Sequence, residues 1–307
     1  MSTPQDAEAE RPGRAPPFRS GCVAIVGRPN VGKSTLLNAL IGARISITSN
    51  KPQTTRHRVL GILTTDDAQF VFVDTPGFQT EHRSALIERM NRAVRASLVD
   101  VDVAVAMLEA GRITDADRAV LSLIPKGVPV LAALNKADRV ADKRSLLPYI
   151  AQVSELRPFA AIVPISAEKR WQLADLLGEV ARLLPAGDPL YPADEMTDRD
   201  ERFLAAEYVR EKIFRTLGAE LPYAATVSID AFEQVGSLRR IHATVYVDRP
   251  SQRAILLGEK GERMKRIASA ARRDMERLFG GKVFLEVWVK IETGWAHDEQ
   301  MLTRLGY

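Results

Sequence analysis

A single cysteine, Cys22, is all that the 307 residues contain. No intrachain disulfide and no thiolate metal cluster can form, which suits a reducing cytoplasm. Four histidines (His57, His82, His242 and His297) are scattered along the chain, and their spacing argues against a zinc site. No apolar run approaches the roughly 18 residues that a membrane span requires. The opening stretch MSTPQDAEAERPGRAPPFRS lacks the apolar core of a secretory signal. It is rich in proline and charge and has no periodicity, so it predicts a disordered arm over residues 1–19. Internal repeats are absent too. Excess charge is small, at net +4 with a pI near 9.2; that permits nucleic acid as a partner without requiring it.

What remains is enough for two cores, at about 150 residues per domain. Up to residue 185, short apolar runs alternate with helical patterns: CVAIV (22–26), FVFV (70–73), VDVAVAMLE (101–109), VPVLAALN (128–135) and FAAIVPIS (159–166). Runs this apolar fit strands covered on both faces, so an α/β, doubly wound, mostly parallel sheet is expected over 20–185. A proline-rich, acidic stretch then predicts a linker over 186–198. Residues 199–307 follow another order, α-β-β-α-α-β, which predicts a smaller α+β domain. In its strands Val227, Ile229 and Ala231 should share one face, as should Ala243, Val245 and Val247. In the last strand the stripe is Val283, Leu285, Val287, Val289 and Ile291.

Between the first apolar run and the first helical pattern stands GRPNVGKST: Gly27, Arg28, Pro29, Asn30, Val31, Gly32, Lys33, Ser34 and Thr35. The spacing G-x-x-x-x-G-K-S after a strand and before a helix is a phosphate cradle. Its backbone N–H groups and the positive end of the helix face phosphate oxygens. Lys33 can bridge the β- and γ-phosphates, and the Ser34 hydroxyl can ligate Mg²⁺. NKAD (Asn135, Lys136, Ala137, Asp138) follows another strand. The Asp138 carboxylate can accept from guanine's ring N–H and amine, a donor pair that adenine lacks, so GTP and GDP are the expected ligands. Asn135 should brace the loops and the Lys136 stem should lie on the base. In SAEK (from Ser166, with Ala167 and Glu168) the Ala167 N–H could meet the guanine carbonyl. DTPGF supplies Asp74 for Mg²⁺ and the Gly77 N–H for the γ-phosphate, with Thr75, Pro76 and Phe78 around them. In SNKPQTTRHR (49–58) a threonine should reach Mg²⁺, Thr55 in preference to Thr54. Arg56 and Arg58 read either as a solvated basic loop or as an internal arginine finger. Ras-type enzymes place a water-orienting glutamine where this chain has Phe78, with Gln79 one step on; intrinsic hydrolysis should be slow.

GEKG (Gly258, Glu259, Lys260, Gly261) joins two helical stretches. A G-x-x-G loop in that position lies against a nucleic-acid backbone in KH domains. The following helix has one apolar face (Met264, Ile267, Ala268, Ala271, Met275, Leu278). Its other surfaces carry Lys265, Arg266, Arg272 and Arg273. From Arg239 to Lys290 there are 13 Lys and Arg against 6 Asp and Glu, a local excess that matches a phosphate-binding groove. Phe284 and Trp288 share the opposite strand face, where they either pack under helices or stack on bases.

Taken together, GRPNVGKSTLLNAL, KPQTTRHRVLGI, FVDTPGF, NKAD, FLAAEYVREKIFRTLGAELPYAATVSID and GEKGERMKRIA make residues 20–307 resemble the Era family of bacterial Ras-like GTPases. The resemblance implies a monomeric GTPase that binds the 3′ end of 16S ribosomal RNA and acts on the small (30S) subunit as it matures. It also implies a cytoplasmic protein with peripheral contact at the inner face of the cell membrane. Related GTPases with an apolar residue after DTPG and an asparagine in the cradle use K⁺. Asn30 stands at that place, either as a K⁺ ligand or as a brace for the loop. SAEKRW departs from the Thr/Gly-containing loop usual in the family. Two other readings compete: an RNA-binding protein whose nucleotide site only switches shape, and a related GTPase of tRNA modification, for which 199–307 show no catalytic cysteine or metal cluster.

Overall fold

The computed structural model describes residues 17–78, 84–218 and 221–307. Most of the arm, as well as Gln79 and His82, therefore lies outside the described residues. The first sheet has six strands: β1 (Arg19–Val26), β2 (Val59–Thr64), β3 (Ala68–Asp74), β4 (Val103–Glu109), β5 (Val130–Asn135) and β6 (Ala161–Pro164). Their order is β2-β3-β1-β4-β5-β6, parallel throughout except that β2 runs against β3. The central strands are apolar at nearly every position because both faces are covered. Phe70, Phe72, Val103, Val105 and Leu131 bury against α1 (Lys33–Ile41) and α5 (Leu173–Leu183). Ala24, Ala104 and Ala106 bury on the other face, with Val120 and Leu121 of α3 (Asp115–Leu123). The α2 helix (Ala85–Ala96) starts at an N-cap, where the Ser84 hydroxyl accepts from the Ile87 N–H at 3.2 Å, a bond worth about 1 kcal/mol.

One strand is absent from the sequence reading. VLGILT forms β2, an antiparallel edge directly after the SNKPQTTRHR loop. The outer side of that edge meets the stretch read as a linker: the Ile62 N–H donates to the Met196 carbonyl at 3.0 Å and the Leu60 N–H to Asp198 at 3.2 Å. Gln69 further pins this stretch through the Leu190 and Tyr191 amides and the Tyr191 carbonyl.

After α4 (Leu146–Ser154) and α5, the long α6 (Glu201–Thr216) leads to a second, three-stranded sheet of β7 (Ala225–Val235), β8 (Leu238–Val247) and β9 (Lys282–Ile291). β7 and β8 are antiparallel, whereas β8 and β9 are parallel. The helices α7 (Pro250–Leu257) and α8 (Glu262–Phe279) supply the crossover between them. Met264, Ile267, Ala271 and Met275 of α8 are buried with Val227, Val245 and Val283. Each of these side chains larger than alanine contributes about 1.5–3 kcal/mol. The expected face of β7 needs one correction. The register shifts between Ile229 and Ala231, so a bulge carries Ala231 off the core face and Phe232 packs there instead. A short helix, α9 (Glu299–Arg304), follows β9.

Candidate nucleotide site and nucleic-acid clamp

The cradle runs from the end of β1 to the start of α1, with Gly32 at φ 108°. A Cβ on Gly32 would stand 2.3 Å from Asn135 Nδ2, so backbone conformation and close approach both demand glycine. Lys33 is buried and donates to the carbonyls of Gly27 (2.9 Å) and Arg28 (3.2 Å). Burial pushes its ammonium down to about 8, against the pull of Asp74. A phosphate beside it would supply the missing negative charge.

Three oxygen groups from separate segments converge at the start of α1. The Ser34 hydroxyl donates to Asp74 Oδ2 at 2.7 Å and lies 2.7 Å from the Thr55 hydroxyl. Asp74 is fully buried. Burial raises its pKa, with Lys33 and the bonds from Ser34 and Ser46 opposing. Its Oδ1 has no hydrogen-bond partner. A set of hard oxygens with a buried, orphaned carboxylate oxygen fits Mg²⁺. Thr54 faces elsewhere and braces its own loop through Ser49 (2.6 Å) and the Lys51 carbonyl (2.8 Å). Ser46, which donates to Asp74 at 2.8 Å, was not singled out from sequence; its only signal is alternation in the apolar stretch RISIT. Gly77 lies against the cradle, where a Cβ would stand 2.9 Å from Pro29 Cγ. Thr75 is buried and bonds back to the Ile25 carbonyl. Phe78 packs toward the apolar layer under α3, with Arg95 over its ring at 5.8 Å.

The phosphate end opens into a second cavity of about 280 Å³, lined by Asn30, Thr35, Lys136, Asp138, Ser166 and Glu168. Asn135 ties its walls, donating to the Val31 carbonyl (2.8 Å) and accepting from the Ala167 N–H (3.0 Å). That N–H, expected to face the guanine carbonyl, is spent on Asn135. Lys136 takes a left-handed conformation (φ 63°) and its ammonium meets Glu109 at 3.0 Å. Arg28 shares Glu109 and also reaches Asp117 at 3.2 Å. Burial would raise the Glu109 carboxyl, but hydrogen bonds from Lys136 and Arg28 outweigh it and hold it low. Ala137 is buried beneath the cavity and Asp138 is exposed at its rim. Glu168 pairs with Arg139 at 3.5 Å in open solvent. Asn30, also in a left-handed conformation, donates to the Asn50 carbonyl at 3.1 Å.

Arg56 fits neither sequence reading. It is 3% exposed and points away from the cradle into the second sheet's end. There it donates to the carbonyls of Pro222 (3.1 Å), Tyr223 (3.1 Å) and Ala225 (2.9 Å). Arg58 is exposed, as a solvated loop requires.

At the other end of the chain, Gly258–Gly261 forms the turn between α7 and α8, with Lys260 at φ 50° and Gly261 at φ 80°. Nothing stands within 4 Å of where a Gly261 Cβ would be. The turn is left-handed and open on one side, the shape a nucleic-acid backbone can approach. Glu259, Lys260, Lys265, Arg266, Arg272 and Arg273 are all exposed along it. Trp288 and Phe284 are 58% and 50% exposed on the outer face of β9, so neither packs under the helices.

Comparison with known proteins agrees with this architecture. A family described as 50S ribosome-binding GTPase matches residues 22–136, and the KH domain family matches 220–296. The chain is 56% identical to GTPase Era of Chromobacterium violaceum over 94% of its length and 98% of that protein, and 52% identical to GTPase Era of Nitrosomonas eutropha over the same shares. Two solved structures each share 37% identity at TM-score 0.91, covering 94% of this chain and 99% of theirs. One is a variant of Aquifex aeolicus Era bound to GDP and AlF4⁻; the other is Era in complex with MgGDPNP and nucleotides 1506–1542 of 16S ribosomal RNA. Fold and site thus define a P-loop GTPase joined to a KH domain. The chain belongs to the Era family of GTPases.

Proposed function

We propose that this protein hydrolyses GTP with Mg²⁺, binds the 3′ end of 16S ribosomal RNA in its KH groove, and serves maturation of the 30S subunit, its RNA affinity set by the bound nucleotide. The observation that carries the nucleotide half is the convergence of Ser34, Thr55 and Asp74 within 2.7 Å contacts at the mouth of the cradle. The RNA half rests on the open GEKG turn and on the rRNA bound to the relative. In this reading the division is GTPase domain 20–185, linker 186–198 and KH domain 199–307.

Each residue then has a part. Backbone N–H groups of 27–35 hold the phosphates, and Lys33 bridges β and γ. Ser34, Thr55 and Asp74 hold Mg²⁺, which supplies charge neutralisation at the leaving phosphate. Gly77 contacts the γ-phosphate and Asp138 reads guanine. Phe78 cannot polarise water, so positioning and electrostatics carry the hydrolysis. Asn30 with the Asn50 carbonyl would offer oxygens to a K⁺ ion once the Asn30 amide gives up its bond to Asn50 and turns its Oδ1 inward, the ion taking the place of that hydrogen bond. Gly258–Gly261, Lys265, Arg266, Arg272 and Arg273 hold the RNA backbone.

The protein acts as a cytoplasmic monomer in this reading, with peripheral contact at the inner membrane face. Among the described residues no helix is long and apolar enough to cross a membrane; the membrane contact is carried by family resemblance, and vesicle flotation tests it. The central experiment is multiple-turnover phosphate release together with crosslinking to total RNA, with and without a non-hydrolysable GTP analogue. Turnover and enrichment of the 16S 3′ end are expected. Absence of turnover would leave a binding switch, and enrichment of tRNA would overturn the ribosomal reading.

A further inference from the structure

The loop that carries Thr55 is tied to the second sheet's end through its next residue. Arg56, the next residue, is buried, and among the described residues no carboxylate bonds it, although the buried Glu207–Arg210 pair lies near enough to act on its charge. Its guanidinium is held by the Pro222, Tyr223 and Ala225 carbonyls, by the Tyr307 hydroxyl at 3.2 Å, and by the Phe214 and Trp295 rings at 5.5 and 5.7 Å. His57 stacks on Tyr307 at 4.5 Å and meets the Phe203 edge at 5.3 Å. A cation bonded mainly to neutral acceptors is costly to desolvate, so loss of any of these partners weakens the arrangement.

Tyr307 also receives α2. Arg89 of α2, the helix that follows DTPG in the chain, donates to the Tyr307 carbonyl at 2.6 Å and pairs with Glu299. Leu86 and Met90 of the same helix bury against Trp295, Met301 and Leu302. The Tyr307 hydroxyl bonds Thr226 of β7 at 2.9 Å. Arg56, next to Thr55, and Arg89 of α2 thus both donate to Tyr307, the first to its hydroxyl and the second to its backbone oxygen.

We infer that Arg56 and Tyr307 are positioning residues for hydrolysis: Arg56, docked on Tyr307 and the carbonyls of the KH side, holds Thr55 against Ser34 and so sets the affinity of the metal site. The inference rests on the proposed reading of Thr55 as a Mg²⁺ ligand. A purely structural role would change stability alike with and without metal. A positioning role changes the Mg²⁺ requirement and leaves metal-free nucleotide binding intact, because the cradle and the guanine cavity do not involve Arg56.

The test uses full-length protein and reads the Mg²⁺ concentration giving half-maximal GTP turnover, beside GDP affinity in chelator. Arg56→Gln should raise the half-point roughly tenfold, with GDP affinity in chelator unchanged. Arg56→Lys should fall between it and the parent. Tyr307→Phe keeps the ring stacks on His57 and on Trp295 (6.2 Å between centroids) and loses only the hydroxyl bonds, and should raise the half-point roughly threefold. An unchanged half-point in Arg56→Gln overturns the inference. Should that variant fail to fold, an unchanged half-point in Tyr307→Phe overturns it equally. Thr55→Ala separates the two layers. If it raises the half-point while the Arg56 and Tyr307 variants do not, the positioning role alone falls. If Thr55→Ala leaves the half-point unchanged, the metal reading falls and this inference with it.

Discussion

The side chain of Asn30 and the carbonyl of Asn50 meet at 3.1 Å, bringing the cradle and the loop before Thr55 together beside the phosphate cavity. In the proposed reading a K⁺ ion bound between them takes the part of an arginine finger, since Arg56 is committed elsewhere. GTP hydrolysis is expected to run roughly tenfold faster in K⁺ than in Na⁺ at equal ionic strength, and the difference should vanish in Asn30→Ala. Steady-state phosphate release in the two salts checks it; equal rates in the parent protein would remove potassium from the mechanism.

In the proposed reading Asp138, exposed at the cavity rim, selects guanine. Asp138→Asn should lower GTP affinity by about a hundredfold and favour xanthosine triphosphate, whose 2-position is a carbonyl rather than an amine. Competition binding measures this, and unchanged GTP selectivity would place base recognition elsewhere.

The open side of the GEKG turn gives a prediction for the other ligand. Gly261→Asp puts a carboxylate into the free space around that Cβ and a side chain at φ 80°. RNA affinity should fall by at least roughly tenfold while GTP turnover without RNA stays normal. A folded Gly261→Asp protein with full RNA affinity would reduce the turn to a helix cap.

His57 gives the pH dependence. Burial between Phe203 and Tyr307 pushes its imidazole down to about 4, against the pull of Glu207. A base with a depressed folded-state value binds fewer protons folded than unfolded, so stability declines as pH falls from about 6.5 toward 4 and is intact above that window. His57→Phe, which keeps the ring stack, should remove a few degrees of the fall in Tm between pH 7 and pH 5. Scanning calorimetry at the two pH values decides it. An identical loss of Tm in both proteins would clear His57 of the effect.

Much of this could be read from the chain because local signals agreed with tertiary ones. The cradle is a contiguous string between a strand and a helix, and the central strands are apolar on both faces. The Met264–Leu278 stripe has a helix's period. Thr55 lay within a guess between two adjacent threonines, and only the folded loop separates them: Thr54 turns back to Ser49 and Lys51. β2 escaped because Gly61 interrupts its apolar run and Thr64 ends it, so VLGILT beside a basic loop reads as loop. Ala231 was misplaced because a bulge breaks strict alternation without leaving a mark in composition. Arg56 was least legible of all. Its partners are carbonyls some 165 residues away in sequence, at separations 166 to 169, and carbonyls have no residue type to betray them.

The stretch over 186–198 does more than connect. By bonding along the free side of β2 through Met196 and Asp198, it shields a row of strand amides that would otherwise be open to pairing with another molecule. A fragment cut at residue 185 would keep every residue of the nucleotide cradle and yet bare that edge, inviting self-association. The practical border of a soluble GTPase fragment therefore falls beyond Asp198, and the strip works as a guard against aggregation.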